Sequence, residues 1–130
     1  MRKGTIIPNG VILEMHESAT VGYLCGLGYD VELIPPLKQK GMRTPDIRMD
    51  NLDWEIKAPR SDGKYTIEHS FRSALKQSVN IIFDIRWSKL PEEKCIAEIE
   101  RRFYDFKMAR RVMIVTKRRG LLDLTKPGLV

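Results

Sequence analysis

The chain has 130 residues, 42% of them hydrophobic, enough for one compact domain with a single core and too few for two ordinary ones. With 31% charged residues and 8% aromatics it reads as soluble, and no apolar run approaches the about 18 residues needed to cross a bilayer, so a membrane role is excluded. The net charge of +6 is uneven: residues 101–130 hold nine Lys/Arg against two Asp/Glu, a net of +7, leaving 14 against 15, or −1, for residues 1–100.

Met1-Arg2-Lys3-Gly4-Thr5 is basic but runs into Pro8-Asn9-Gly10 rather than an apolar stretch, so no cleavable signal peptide is expected. The expected site of action is the cytoplasm, reached directly or by delivery. From Ile12 to about Leu27, the spacing Leu13, Glu17, Val21, Leu24 predicts a helix, and Gly28 is its stop signal. Tyr29 to Ile34 alternates like a strand and meets Pro35-Pro36. Leu37 to Thr44 reads as a loop. Pro45–Met49 and Asp53–Ala58 predict two strands around an Asp50-Asn51 turn, residue types that tolerate left-handed backbone. After a loop at Ser61–Lys64, a second helix carries Ile67, Phe71, Ala74, Leu75 and Ser78.

Asn80–Ile85 is nearly unbroken apolar sequence and suits a strand covered on both faces. Pro91 opens a third helix with Ile96, Ile99, Phe103 and Phe106 on one stripe, and Val112–Val115 is the last expected strand. Residues 12–116 thus form the expected core of a single domain spanning 1–130, in the order α-β-β-β-α-β-α-β: a mixed α/β (α+β) fold with a central mixed sheet and flanking helices. Residues 117–130 read as a basic tail. Arg101, Arg102, Lys107, Arg110, Arg111, Lys117, Arg118 and Arg119 are a candidate footprint for a polyanion, with a solvated basic face as the plainer alternative. Cys25 and Cys95 fall in helical segments without zinc-ligand spacing and are expected as buried free thiols.

The hairpin carries the chemistry. With Asp50 and Asn51 as its turn, Asp46 lies across from Glu55, and opposed like charges cost roughly 0.2–1 kcal/mol relative to a neutral pair. A divalent cation would reverse the sign of that interaction. Strand alternation puts Lys57 on the face of Glu55, with Trp54, Ile56 and Ala58 on the opposite, core-facing side. Two acids and an ammonium suit phosphodiester hydrolysis, in which hard oxygen ligands hold Mg2+ or Mn2+ and a cation orients the nucleophile. Asp-Trp-Glu-Ile-Lys alone would pass for an ordinary amphipathic strand with a solvated face; Asp46 in the preceding strand shifts that balance.

Pro45-Asp46, eight intervening residues, then Glu55-Ile56-Lys57 resembles the motif of the PD-(D/E)XK nuclease superfamily. The resemblance implies a restriction-endonuclease-like core, with the metal held by Asp46, Glu55, the Ile56 carbonyl and an acid of the first helix. Glu17 is the candidate and Glu14 the fallback. Gln77, expected on or beside the stripe of the second helix and directed toward the sheet, is a candidate site-orienting or phosphate-contacting group, although the Tyr of some members is Ile81 here. Lys57 would position the attacking water. Mg2+ or Mn2+ is expected ahead of Zn2+. His16 and His69 fit no ligand spacing and read as surface or capping residues. Arg60 and Lys64 could reach a substrate phosphate.

More narrowly, Glu17, Gly28-Tyr29-Asp30-Val31, Thr44-Pro45-Asp46, Trp54–Pro59 and Gln77–Ile82 resemble the C-terminal tRNase toxin domain of contact-dependent growth inhibition proteins, over roughly residues 14–116. That resemblance implies a tRNA-cleaving toxin forming the tail of a larger exported protein, and an acidic immunity protein as partner. Two alternatives remain open: a DNA endonuclease of restriction or repair type with the same site, and a catalytically silent nucleic-acid-binding domain.

Overall fold

The hairpin forms where its turn chemistry dictates. Asp50 and Asn51 both take positive φ (54° and 62°), the mirror-image turn that matches strand twist. It joins β3 (Ile47–Met49) to β4 (Leu52–Lys57), with Ile47 opposite Trp54, Arg48 opposite Asp53 and Met49 opposite Leu52. In a computed structural model describing residues 2–37 and 44–126, this hairpin lies inside a seven-stranded sheet. The strands stand in sequence order: β1 (Ile6–Ile7), β2 (Val31–Leu33), β3, β4, β5 (Asn80–Asp84), β6 (Arg111–Val115) and β7 (Leu121–Thr125). Pairings β1–β2, β4–β5 and β5–β6 are parallel and the others antiparallel.

The mixed sheet with flanking helices is as the sequence predicts, and the predicted order is embedded in it. Two strands were not foreseen. β1 pairs over two residues only, and β7 turns part of the expected basic tail into an edge strand. The expected loop at Leu37–Thr44 falls mostly outside the described residues, as do residues 127–130.

Helix α1 (Met15–Gly26) packs Val21, Leu24 and Cys25 onto one face of the sheet, against Val31, Ile47, Trp54, Ile56, Ile82 and Met113. It starts three residues later than the periodicity suggests, and Ile12 is exposed. Glu14 caps it in a reciprocal box with Glu17. At its far end Gly28 takes φ +102°, which a side chain would resist. Helices α2 (Thr66–Leu75) and α3 (Glu92–Asp105) cover the other face, where Ile67, Phe71, Ala74, Ile96, Ile99 and Phe103 meet Ile81, Phe83, Val112 and Ile114. β5, between the two layers, is buried along its whole length, as its apolarity predicts. Both cysteines are buried and free, and burial pushes both thiols up.

Gly4 docks the N-terminal segment: its amide donates to Cys25 O (2.8 Å), and any Cβ would collide with the Tyr29 carbonyl. Gly4→Ala is therefore expected to cost about 2 kcal/mol, read as a lowered melting temperature. An unchanged melting temperature would show that this segment does not dock as described.

Four of the eight residues of the basic C-terminal footprint are paired internally. Arg102 pairs with Glu68 and Glu98, Arg111 with Asp123, Arg119 with Glu93, and Arg101 lies 3.7 Å from Glu98. Arginines that the charge count makes a phosphate footprint thus serve intramolecular pairs, which weakens that expectation.

Candidate active site

Glu55 and Lys57 alternate out of β4 away from Trp54 and Ile56, so they project on the α2 side of the sheet. Lys57 Nζ lies 3.7 Å from Glu55 Oε2 and donates to Ser73 Oγ of α2 (3.0 Å). The paired register ends at Ile47 and Trp54. One residue earlier the Asp46 amide also turns to Trp54 O (2.9 Å), so Asp46 and Ile47 both stand against Trp54 and Asp46 is offset from the place opposite Glu55 that the hairpin count predicts. The Asp46 carboxylate is fixed by the Ile56 amide, which donates to Oδ2 at 2.8 Å. A strand residue's N–H and C=O point the same way, so the Ile56 carbonyl is directed to the side that Asp46 occupies.

Glu17 comes from the first turn of α1, its Oε1 accepting from the Glu14 amide at 3.3 Å. Asp46 stands close enough to Glu17 and Glu55 for its charge to act on both. The energetic consequence is large. Burial, then the charge of Asp46, pushes Glu55 up to about 8, with Glu17 adding to the rise and Lys57 opposing it. Burial and Asp46 likewise raise Glu17 to about 6. Glu55 is only 6% exposed, and its buried Oε1 has no hydrogen-bond partner. A buried carboxylate oxygen with no protein donor, facing further acids, is a place for a proton, a cation or a cation's water.

The donor set fits a hard divalent ion. Asp46, Glu55 and the Ile56 carbonyl offer oxygen alone, and Mg2+ is content with one or two carboxylates plus waters. Zn2+ would want nitrogen or sulfur. Among the described residues no group of three or more His, Cys, Asp and Glu is placed to hold a metal ion of any kind, so the donor set rests on two carboxylates and a carbonyl. Asp46 and Lys57 are half-buried, so the site opens to solvent through them. Two clefts of about 600 and 650 Å3 lie elsewhere, beside Asp30 and Glu32 and beside Pro91 and Lys117, and none of these site residues lines them.

The family model for the "Contact-dependent growth inhibition CdiA C-terminal domain" matches residues 43–121, more than half of the chain. The chain belongs to the CdiA C-terminal domain family. A solved structure, the "CdiA-CT/CdiI toxin and immunity complex from Burkholderia pseudomallei", superposes with a TM-score of 0.69 at 16% identity, covering 95% of this chain and 100% of that one. At that identity the likeness speaks for the fold alone. No curated protein matches the chain. The stretch matched by the CdiA family holds Asp46, Glu55, Ile56, Lys57 and Gln77 but not Glu17.

Gln77 lies beside the α2 stripe, just past the helix end. It follows the C-cap Lys76, its amide bonded to Ala74 O. Its Oε1 is buried without a partner, and none of its hydrogen bonds goes to Asp46, Glu55 or Lys57. Arg60 and Lys64 are exposed in the loop after β4, Lys64 lying over the Tyr65 ring. His69 stacks on Tyr65 and His16 meets Trp87 edge-on. In this CdiA domain the sequence reading missed Ser73, Asp84 and Arg86. An acid inside the apolar run Ile81–Ile85 was a visible signal for Asp84; nothing marked Ser73.

Proposed function

We propose that this domain is a metal-dependent endonuclease of PD-(D/E)XK type that cleaves RNA, tRNA above all, as the toxic tail of a larger delivered protein. The observation that carries the reading is Glu55, a buried carboxylate with an unsatisfied oxygen set between Asp46 and an ammonium held in place by Ser73. Asp46, Glu55 and the Ile56 carbonyl, with Glu17 beside them, are the groups that would hold Mg2+ or Mn2+. Bound there, the ion would polarise the scissile phosphate and acidify water. Lys57 orients the nucleophile and offsets the negative charge that grows on the phosphate. Ser73 fixes the Lys57 rotamer, so the ammonium needs no reorganisation during reaction.

Membership of the CdiA family supports toxicity, and the similar solved structure, a toxin and immunity complex, supports an immunity protein as partner. An acidic one suits the net charge of +6. Purified domain incubated with bulk tRNA and with plasmid DNA, in Mg2+ and in chelator, tests the reading. Cleavage of tRNA in Mg2+ only is expected, with Lys57→Ala slower by about 10²–10⁴-fold. Cleavage of DNA alone would transfer the site to a restriction or repair role. Salt-sensitive binding without turnover of either polymer would leave a silent binding domain.

A further inference from the structure

A second organised group of side chains stands at the C-terminal ends of β4 and β5. Asp84, the last residue of β5, is fully buried and grips Arg86 twice, accepting from Nε at Oδ1 (3.0 Å) and from Nη2 at Oδ2 (2.7 Å). Nη2 also donates to Ala19 O of α1 (3.3 Å), and Thr20 Oγ1 donates to Asp84 Oδ2 (2.6 Å). The guanidinium lies over the rings of Tyr23 (4.9 Å) and Trp87 (4.8 Å), and His16 meets Trp87 edge-on at 4.7 Å. Among the described residues nothing accepts from Arg86 Nη1. Trp87 itself is 38% exposed in the turn after β5, whereas the other tryptophan, Trp54, is fully buried.

This cluster adjoins the carboxylates. His16 precedes Glu17 in α1, and Thr20, bonded to Asp84, lies one turn further on, where side chains three apart are about 5–6 Å from one another. Lys57 is paired with Phe83, so Asp84 is one residue further along the neighbouring strand and projects on the opposite, α1 side of the sheet, the side from which Glu17 comes. A cation immobilised by a buried acid, with donors to spare beside a half-exposed indole, is the equipment that unpaired nucleotides require: a charge for phosphate and an aromatic surface for a base.

We propose that Arg86, Trp87 and His16 form a nucleotide subsite for single-stranded RNA, Arg86 Nη1 donating to a backbone phosphate while an unpaired base stacks on the exposed part of Trp87 and His16. The subsite rests on the nuclease reading and adds to it a preference for looped over paired RNA, because a paired base cannot leave its stack at no cost. Asp84 and Tyr23 position the guanidinium.

Binding of a short, dye-labelled single-stranded oligoribonucleotide to the metal-free domain tests the subsite without turnover, with affinity read from the anisotropy of the label in every variant and tryptophan quenching read in the native chain. Trp54 is sheltered in the core, so quenching reports Trp87. Quenching of the native chain is expected, with binding weakened about 10-fold in Trp87→Leu, less in His16→Ala, and weaker binding to duplex RNA of the same composition. Circular dichroism of both surface variants should match the native chain. Binding without quenching, or undiminished binding by Trp87→Leu, overturns the subsite; tighter binding of the same sequence as DNA overturns the RNA assignment. Magnesium-dependent tRNA cleavage, assayed in parallel, separates the two readings. If it proceeds with no role for Trp87, only the subsite falls; if the folded native chain does not cleave, the nuclease reading falls.

Discussion

Glu55→Gln is expected to reduce RNA cleavage by on the order of 10²–10³-fold and, in the absence of metal, to raise the melting temperature at pH 8. The two effects share one cause. The folded state lifts Glu55 from 4.5 to about 8, so between those pH values the native chain keeps a proton that the unfolded chain has released. Stability from this group is complete below about 4.5 and is lost as pH rises through 8. Ionising it at pH 8 sets a buried charge against Asp46 at a cost of about 2–4 kcal/mol. Glutamine has nearly the same shape and never ionises, so the variant escapes that cost. Glu17, raised to about 6, adds a smaller loss of the same sign. Calorimetry at pH 5 and pH 8 checks this: the native chain should melt lower at pH 8 and regain stability with Mg2+, while Glu55→Gln should be flatter with pH and indifferent to the ion. A native chain unmoved by both pH and Mg2+ would show that the acids do not converge.

The same carboxylates explain why the site was legible in sequence. A two-residue turn of Asp50 and Asn51 fixes the hairpin register as far as Ile47 and Trp54, which brings Asp46 close to Glu55 though offset from it, and alternation adds Lys57; all three steps are local. Interactions that depend on distant segments were not legible. β1 pairs only Ile6 and Ile7 with Val31 and Glu32, too short a run for any periodicity to show. β7 reads Leu-Leu-Asp-Leu-Thr, ambiguous until the turn at Gly120 (φ +71°) folds it back on β6. Charge counting saw Arg102, Arg111 and Arg119 but not Glu68, Glu98, Asp123 and Glu93, which reach them across the fold. Helical spacing left Gln77 on or beside the α2 stripe, and the C-cap at Lys76 puts it beside. Ser73 is one of two serines in α2, and only the length of the Lys57 side chain makes it a partner.

Asp84→Ala carries the largest expected cost in stability. Asp84 is fully buried and accepts from four donors: Thr20 Oγ1, Arg86 Nε and Nη2, and the Arg86 amide. Removing the carboxylate strands a cation and a hydroxyl where water reaches them poorly, at about 3–5 kcal/mol, which corresponds to a fall in melting temperature on the order of 10–20 °C for a chain of this size. Much of that cost belongs to the abandoned Arg86 charge, so Asp84→Leu combined with Arg86→Met should recover most of it. A double variant no more stable than Asp84→Ala would mean that the pair stabilises the fold by its attraction rather than by mutual neutralisation. Recovery of stability should not bring recovery of activity. Thr20 loses its partner in either case, and Thr20 lies one turn from Glu17, so the helix that delivers the third acid is no longer bolted to β5. A refolded double variant that still cleaves slowly would therefore separate the positioning of α1 from the stability of the domain that carries it.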